Sequence, residues 1–222
     1  MMKRLAFLLL MALACGSINA QVTGYDDTKH EIAVSTGAGT NTQIVSIFTR
    51  LTEVLVSGVI TTVGSGGTMT GYTSYENETE IIPLSAEYFY HISKGIGVGG
   101  ILCYNGSSRD MYATVNYSSG GSSKEKIGEG SMHNITLMPA VKFDWFRSKY
   151  FGSYSKFAIG ATLMLEREKM DNGDKLHSNT SVMFNWQASL LGLEAGHPNA
   201  RAFVELGFGE QGIGVMGLRC KF

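Results

Sequence analysis

Residues 134–145 (NITLMPAVKFDW) show an alternation that strongly limits what this chain can fold into. Every second side chain is apolar, in the order Ile135, Leu137, Pro139, Val141, Phe143 and Trp145. The side chains between them are mixed, and they include the charged pair Lys142 and Asp144. Because successive residues of a β-strand point to opposite faces, this period of two predicts a strand with one apolar face and one largely polar face.

Two kinds of sheet can carry such a strand. In a soluble sheet the apolar row faces a core and the charged row faces water. In a transmembrane barrel the apolar row faces lipid and is flanked by aromatic residues at the membrane interface. Residues 134–145 end in Phe143 and Trp145, and they match the roughly 9 to 11 residues that a tilted transmembrane strand needs. The segment is compatible with both, so the rest of the chain has to decide.

The same split into an apolar row and a mixed or charged row recurs along the chain. Seven further segments carry it, namely residues 31–39, 82–92, 96–104, 154–167, 182–190, 200–208 and 213–222. Connections after the first, third and fifth segments are long or intermediate, and those after the second, fourth and sixth are short. Transmembrane barrels have long outer loops and short periplasmic turns. We therefore predict an all-β fold, a closed antiparallel eight-stranded transmembrane β-barrel, with residues 105–131 as a solvated loop or as extended hairpin arms.

Residues 43–59 change from the strand period to a helical one. Ile44, Ile47, Phe48, Leu51 and Leu55 recur at helical spacing, and polar residues lie opposite them. This pattern predicts one amphipathic helix in the first outer loop, capped by Asn41 or Thr42, although the β-branched run at 54–63 leaves a strand as an alternative for the second half. The apolar face either packs on the rim or in the mouth of the barrel, or the helix lies in the membrane interface and restricts access to the lumen.

The start of the chain reads as a secretory signal peptide over residues 1–20, which leaves 21–222 as the barrel domain. Lys3 and Arg4 precede an apolar run, and small residues at 18–20 form a cleavage site. Residues 12–14, which precede Cys15, weakly resemble a bacterial lipidation motif, so lipidation of Cys15 stays open. No later segment has about 20 uninterrupted apolar residues, so we expect no transmembrane helix.

Charge and cysteine usage exclude several classes of partner and site. The formal net charge is -1, with 18 Lys plus Arg against 19 Asp plus Glu, which excludes a basic surface for nucleic acid. Cys103 falls on an inner row and Cys220 on an outer row, so we expect no disulfide between them. Neither spacing nor neighbours indicate a metal site, and no cofactor is predicted.

The signal peptide, the eight alternating strands, the unequal loops and the terminal Phe222, with Met216 and Leu218 on the same face, resemble the small outer-membrane β-barrel proteins of Gram-negative bacteria. The resemblance implies a location in the outer membrane with both termini periplasmic. It also implies contact with outer-membrane lipid, and recognition of Phe222 as an assembly signal by the barrel-assembly machinery.

The two rows of the predicted strands define two groups of candidate residues. The inner rows predict a charge network in the lumen made of Glu31, Glu87, Lys142, Asp144, Glu166, Arg201, Glu205, Arg219 and Lys221. The outer rows predict lipid-facing aromatic residues at Tyr88, Tyr90, Phe143, Trp145, Phe157, Phe184, Trp186 and Phe208. Unpaired charges are costly to bury, so we expect the inner charges to pair and to fill a lumen as narrow as that of eight strands.

These patterns predict a non-enzymatic barrel with a structural or surface-interaction role, whose partner outside the cell the sequence does not identify. A narrow or gated pore for small solutes is one alternative. A secreted, lipocalin-like ligand-binding barrel is another, in which the apolar rows would face inwards. A third is a lipid-acting enzyme that uses His91, yet Glu87 lies four residues away on the same strand, too far for direct contact.

Overall fold

Eight antiparallel strands close into a barrel in which each strand pairs with its neighbours in sequence and β1 pairs with β8. The computed structural model describes residues 28–170 and 177–222. The elements are β1 His30–Ala38, α1 Asn41–Gly64, β2 Met69–Ser93, β3 Ile96–Tyr117, β4 Ser122–Arg147, β5 Phe151–Met170, β6 His177–His197, β7 Ala200–Gly209 and β8 Gly214–Lys221. The predicted closed barrel of eight strands with one helix after the first strand is confirmed. The predicted signal peptide at 1–20 lies outside the described residues.

The barrel wall is much taller on one side than on the other. β2 to β6 have 20 to 26 residues each, whereas β1, β7 and β8 have 9, 10 and 8. Residues 105–131 therefore form extended arms and not a solvated loop, because β3 and β4 stay paired as far as Asn116 and Ser122. Backbone hydrogen bonds to a neighbouring strand hold these arms together without an apolar row.

The two rows of each strand face opposite sides of the wall. In β7, Arg201 and Glu205 are buried inside, and Val204 and Leu206 are exposed outside. The predicted lipid-facing aromatic residues all lie on the outside and are 37% to 72% exposed. The charged row is thus the inner one, as in a membrane barrel and opposite to the arrangement that a lipocalin-like barrel requires.

Helix α1 begins inside the mouth of the barrel, at the end that carries the extended arms. Thr40 is its N-cap and forms a capping box with Gln43, one or two residues before the predicted caps Asn41 and Thr42. The helix continues to Gly64, so the β-branched second half is helical. By length and composition alone, α1 is long and apolar enough to cross a membrane. Polar residues such as Arg50 and Glu53 interrupt its apolar sequence, so the absence of an uninterrupted apolar run of about 20 residues stands as stated, and the absence of a transmembrane helix stays a prediction.

The face of α1 that packs against β2 is its polar face. Thr61 Oγ1 donates to the Gly71 carbonyl oxygen at 3.0 Å, and Thr62 Oγ1 lies 2.8 Å from Thr70 Oγ1. β1 pairs with β2 only as far as Leu84, so the longer part of β2 has no strand partner on that side, and the threonines of α1 bond to it there. The apolar side chains are left exposed, with Ile47, Phe48, Leu51, Leu55 and Val59 each more than half accessible. The prediction that this face packs on the rim or in the mouth is therefore wrong.

Candidate functional site: the closed barrel interior

Polar side chains fill the barrel interior at three levels, which we name by position. The basal cluster lies near the chain termini and comprises Glu31, His91, Lys142, Asp144, Glu194, Arg201 and Lys221. The central cluster comprises Glu87, Tyr154, Lys156, Glu205 and Arg219. The mouth cluster comprises Thr42, Asn105, Thr136, Asn185 and Glu210. All of these side chains are almost completely inaccessible to solvent.

The basal cluster is an ion-pair network built from strands on opposite sides of the barrel. Lys142 Nζ lies 2.5 Å from Glu31 Oε1 and 3.2 Å from Asp144 Oδ1. Arg201 Nη1 lies 2.7 Å from Glu194 Oε1, and Lys221 also pairs with Glu194. Because β1, β4, β6, β7 and β8 each contribute a charge, the network ties together strands that are not neighbours in the sheet.

His91 lies between two carboxylates of the basal cluster. Its Nε2 atom is 3.1 Å from Glu31 Oε2, and its Nδ1 atom is 3.5 Å from Asp144 Oδ2. His91 is 4% exposed and faces the interior, so it does not contact the lipid side of the wall. This position gives no support to a lipid-acting enzyme that uses His91.

The central cluster places two cations among carboxylates from several strands. Lys156 Nζ donates to Glu87 Oε1 at 2.6 Å and to Glu205 Oε1 at 2.9 Å. Tyr154 Oη donates to the same Glu205 oxygen at 2.7 Å. The Arg219 guanidinium carbon lies 4.5 Å from the ring centroids of both Tyr154 and Phe203. The Arg219 guanidinium lies between two aromatic faces and is surrounded by paired charges, and together these groups fill this level of the barrel.

Arg219 connects the central cluster to the basal cluster. Its Nη1 atom donates to Glu194 Oε2 at 2.7 Å. Its other nitrogens lie 3.5 Å from Glu31 and Glu87 and 3.9 Å from Glu205, which are ion-pair distances without aligned hydrogen bonds. One guanidinium therefore faces four carboxylates.

The mouth cluster holds a buried carboxylate with neutral donors. Glu210 accepts from the Thr42 backbone N at 3.1 Å and the Thr42 hydroxyl at 2.8 Å, and from the side-chain amides of Asn105 and Asn185 at 2.8 Å each. No cation lies within ion-pair distance of Glu210 in the part of the chain that the structure describes. Thr42 is in the first turn of α1, so the carboxylate also interacts favourably with the positive end of the helix dipole. Glu210 thereby fixes the start of α1 over the lumen.

Space above the mouth cluster narrows sharply toward it. A groove of about 750 Å³ lies between α1 and β2, lined by Val45, Phe48, Val56, Ile60 and Tyr75 among others. A cavity of about 130 Å³, lined by Val45, Arg109 and Met164 among others, reaches down to Thr42 and Asn134. Between these two residues and Asn105 the cavity volume is about 20 Å³. A space of that size holds about one water molecule.

The structure places eight of the predicted network residues in these clusters and one elsewhere. Glu31, Glu87, Lys142, Asp144, Arg201, Glu205, Arg219 and Lys221 are buried inside and make ion pairs. Glu166 does not join them: its side chain is 36% exposed, and it lies 3.4 Å from Arg109 in the extended arms.

Sequence reasoning missed Lys156, Glu194 and Glu210. Lys156 shares the parity of the inner residue Ala158, so extending that row by one step would have found it. Glu194 follows a β-bulge between Ser189 and Leu191, which reverses the parity of the end of β6. Glu210 lies in a turn, where no periodicity gives a signal.

At the base of the barrel, Phe222 closes the last strand onto the first. Its backbone N donates to the His30 carbonyl at 2.9 Å, and its ring stacks on His30 with centroids 5.5 Å apart.

Cys103 has a free, buried thiol, so the expected absence of a bridge between Cys103 and Cys220 is confirmed.

In the extended arms, Tyr75 joins β2 to α1. Its hydroxyl donates to Glu53 Oε2 at 2.9 Å, and the Arg109 guanidinium lies 4.3 Å from its ring centroid. Burial is the larger cause and the hydrogen bond to Glu53 the next of a rise in the pKa of Tyr75 to about 12. The neutral phenol is therefore the form that the fold stabilises. Its contribution is complete below the ordinary tyrosine pKa of about 10 and is lost as the pH rises through about 12.

We therefore expect the difference between the ultraviolet titrations of the wild type and Tyr75→Phe to show one phenol ionising near pH 12. Glu53→Gln keeps the tyrosine but removes the negative charge that accepts the hydrogen bond from its hydroxyl, so it should lower this midpoint. A Tyr75 midpoint near pH 10 in the wild type would mean that the contact between α1 and β2 does not form in solution.

No protein-family model matches the sequence, and no curated protein matches it. Among solved structures, the chain is similar to Ail, the attachment invasion locus protein of Yersinia pestis, bound to the heparin analogue sucrose octasulfate. The identity is 12% over 87% of this chain and 99% of that chain, with a TM-score of 0.44. A second structure of Ail gives 12% over 88% and 99%, with a TM-score of 0.41. The outer membrane protein OprG of Pseudomonas aeruginosa gives 10% over 89% and 98%, with a TM-score of 0.40. At these values the likeness concerns the path of the chain and not the side chains of the interior.

Proposed function

We propose that the protein is an outer-membrane barrel with a closed lumen, which serves a structural or surface-interaction role and does not conduct solutes. The observation that carries this proposal is the combination of an apolar exterior with a charged, paired interior. Large apolar side chains are exposed around the outside of the barrel, where lipid would cover them. A closed barrel also satisfies the backbone hydrogen bonds of every strand, as a membrane-spanning sheet requires.

The paired interior supports closure over conduction. Five buried cations (Lys142, Lys156, Arg201, Arg219 and Lys221) face six buried carboxylates (Glu31, Glu87, Asp144, Glu194, Glu205 and Glu210) among the described residues. Each of these cations forms an ion pair, and Glu210 accepts hydrogen bonds from neutral donors. An open pore keeps part of its charged lining in water, whereas these charges contact one another. The narrow-pore alternative is therefore the less favoured of the two.

The tall wall and α1 supply the surface that such a barrel would present outside the cell. We place both termini in the periplasm, because the long connections then lie outside and the short turns inside. In this orientation the extended arms of β2 to β6 and the exposed apolar face of α1 project from the membrane. Recognition of Phe222 by the barrel-assembly machinery stays part of this proposal.

Single-channel recording tests the closed lumen. We expect the folded wild type in a planar lipid bilayer to give no conductance steps at either polarity, because all three clusters span the lumen. A known porin, inserted in the same bilayer, is the control for insertion and sensitivity. Reproducible steps from the wild type would instead support a narrow pore, and a protein that stays soluble without detergent would contradict the membrane location.

A further inference from the structure

The outward row of β5 changes from apolar to basic at its outer end. Phe157, Ile159 and Leu163 are exposed along this row, and Leu165 follows them. The next two outward residues are Arg167 and Lys169, and both are exposed. The same face of one strand thus carries an apolar run and then two cations.

Neighbouring strands change character at the same height. Leu163 pairs with Ile135 of β4 and with Val182 of β6, so the belt is apolar on both sides of it. Two steps further out, Arg167 pairs with Ser131 and Ser178, which are polar. The apolar belt therefore ends between these two rows across three strands.

This height corresponds to the head-group region if the barrel lies in a membrane, as proposed above. Phe157 and Leu165 are eight residues apart, which is roughly 26 Å along a strand that rises about 3.3 Å per residue. A tilt of about 40° reduces this to roughly 20 Å, close to the apolar band of about 25 Å that transmembrane barrels present to lipid. The next outward positions, Arg167 and Lys169, then lie where the outer leaflet carries its head groups.

Arg167 and Lys169 make no ion pair with any residue in 28–170 or 177–222. The nearby carboxylates already have a partner, because Lys126 Nζ lies 2.9 Å from both Asp110 and Glu129. Hydrogen bonds to Glu129 and Asp110 raise the pKa of Lys126 well above its usual value. Lys124 likewise pairs with Glu76. Among these cations of the arms, Arg167 and Lys169 are the two left for an external anion.

The surface beside these two cations is concave. A depression of about 380 Å³ is lined by Arg167 and Lys169, by Ser108 and Ser131, and by Asn77, Arg109 and Gly130. Arginine binds a phosphate with two parallel hydrogen bonds, lysine adds a compact charge, and serine hydroxyls donate further bonds. Asp110 and Glu129 also line the depression, and Lys126 offsets one of their two negative charges, so the group formed by these three residues with Arg167 and Lys169 keeps a net charge of +1.

We propose that Arg167, Lys169, Ser108 and Ser131 bind a phosphate group on the head of an outer-leaflet glycolipid. The acyl chains of that lipid would lie along the apolar row of β5 that leads up to Leu165. This inference rests on the proposed membrane location. Beyond that location, it specifies the class of lipid that the protein binds and the face of the barrel that binds it.

Binding of purified lipid A to the folded protein in detergent micelles tests the site, with native mass spectrometry counting bound lipids and a titration measuring affinity. We expect the wild type to prefer bisphosphorylated lipid A over the same lipid after phosphatase treatment. Arg167→Gln with Lys169→Gln should weaken binding of the phosphorylated form by roughly tenfold or more, since each charged hydrogen bond contributes at least about tenfold before screening by salt.

The matched control is Arg50→Gln with Lys124→Gln, which removes the same charge from cations that already pair with Glu78 and Glu76 and that do not line the depression. It should leave lipid affinity within about twofold, since its charges are screened and paired. An equal loss in both double variants, or equal binding of dephosphorylated lipid, would overturn the site. Full competition by millimolar inorganic phosphate would assign it to free phosphate. Bilayer insertion of Arg167→Gln with Lys169→Gln, measured in parallel, separates failure of this site from failure of the membrane location.

Discussion

Replacing Arg219 with methionine should reduce the free energy of unfolding by about 3 to 5 kcal/mol, the usual cost of leaving buried partner charges uncompensated. Arg219 is 1% exposed and faces Glu31, Glu87, Glu194 and Glu205. Methionine fills part of the space between Tyr154 and Phe203 but supplies no charge and no donor. The carboxylates then repel each other at the centre of the barrel, where little water can enter.

Urea or guanidinium unfolding of the refolded protein in micelles or lipid vesicles, followed by tryptophan fluorescence, measures this loss. Arg219→Lys keeps the charge but loses the planar fork, so it should fall between the methionine variant and the wild type. If Arg219→Met does not fold at all, adding Glu194→Gln, which removes the carboxylate that Arg219 contacts at 2.7 Å, should recover part of the folded yield. An unchanged unfolding midpoint for Arg219→Met would show that the interior is hydrated and that the network does not stabilise the barrel.

Replacing Glu210 with alanine should cost about 3 kcal/mol, because several buried donors lose their acceptor at about 1 kcal/mol or more each. The donors are the backbone and hydroxyl of Thr42 and the amides of Asn105 and Asn185. The first turn of α1 also loses the negative charge at its positive end. We therefore expect two changes together, a lower unfolding midpoint and a first turn of α1 that opens more often.

Hydrogen exchange of the backbone amides at the start of α1 separates the second effect from the first. Exchange of Thr42 should rise strongly in Glu210→Ala, because its N–H lies 3.1 Å from Glu210 Oε2 in the wild type. Glu80→Ala is the matched control, since Glu80 is exposed and also accepts a hydrogen bond from the first turn of α1, through Gln43. It should change stability by less than about 0.5 kcal/mol, as exposed surface substitutions usually do. Equal effects of both variants would contradict the assignment of Glu210 as the group that fixes α1 over the lumen.

Local alternation was sufficient to predict the barrel and its sidedness. The rows of residues 134–145 and 200–208 need no information from elsewhere in the chain, because a strand exposes alternate side chains to opposite faces whatever its neighbours are. A row that contains Arg201 and Glu205 cannot face lipid, so the charged row had to be the inner one in a membrane barrel. The same reasoning identified most of the buried charges but not which cation pairs with which carboxylate.

The pairing, the mouth cluster and the orientation of α1 depend on tertiary structure. Lys142 reaches Glu31 across 111 residues of sequence, and Glu210 reaches Thr42 across 168, so these contacts exist only once the sheet has closed. A single bulge in β6 reverses the parity of Glu194, which a repeat of two cannot reveal. Amphipathicity predicted that α1 is a helix but not which face of it packs on the barrel. The part of β2 beyond Leu84 has no strand partner on one side, and Thr61 of α1 donates a hydrogen bond to the Gly71 carbonyl there, so the polar face of the helix packs against β2. Periodicity in a sequence determines which side chains share a face. Which partner each face meets is decided by the closure and the uneven height of the wall.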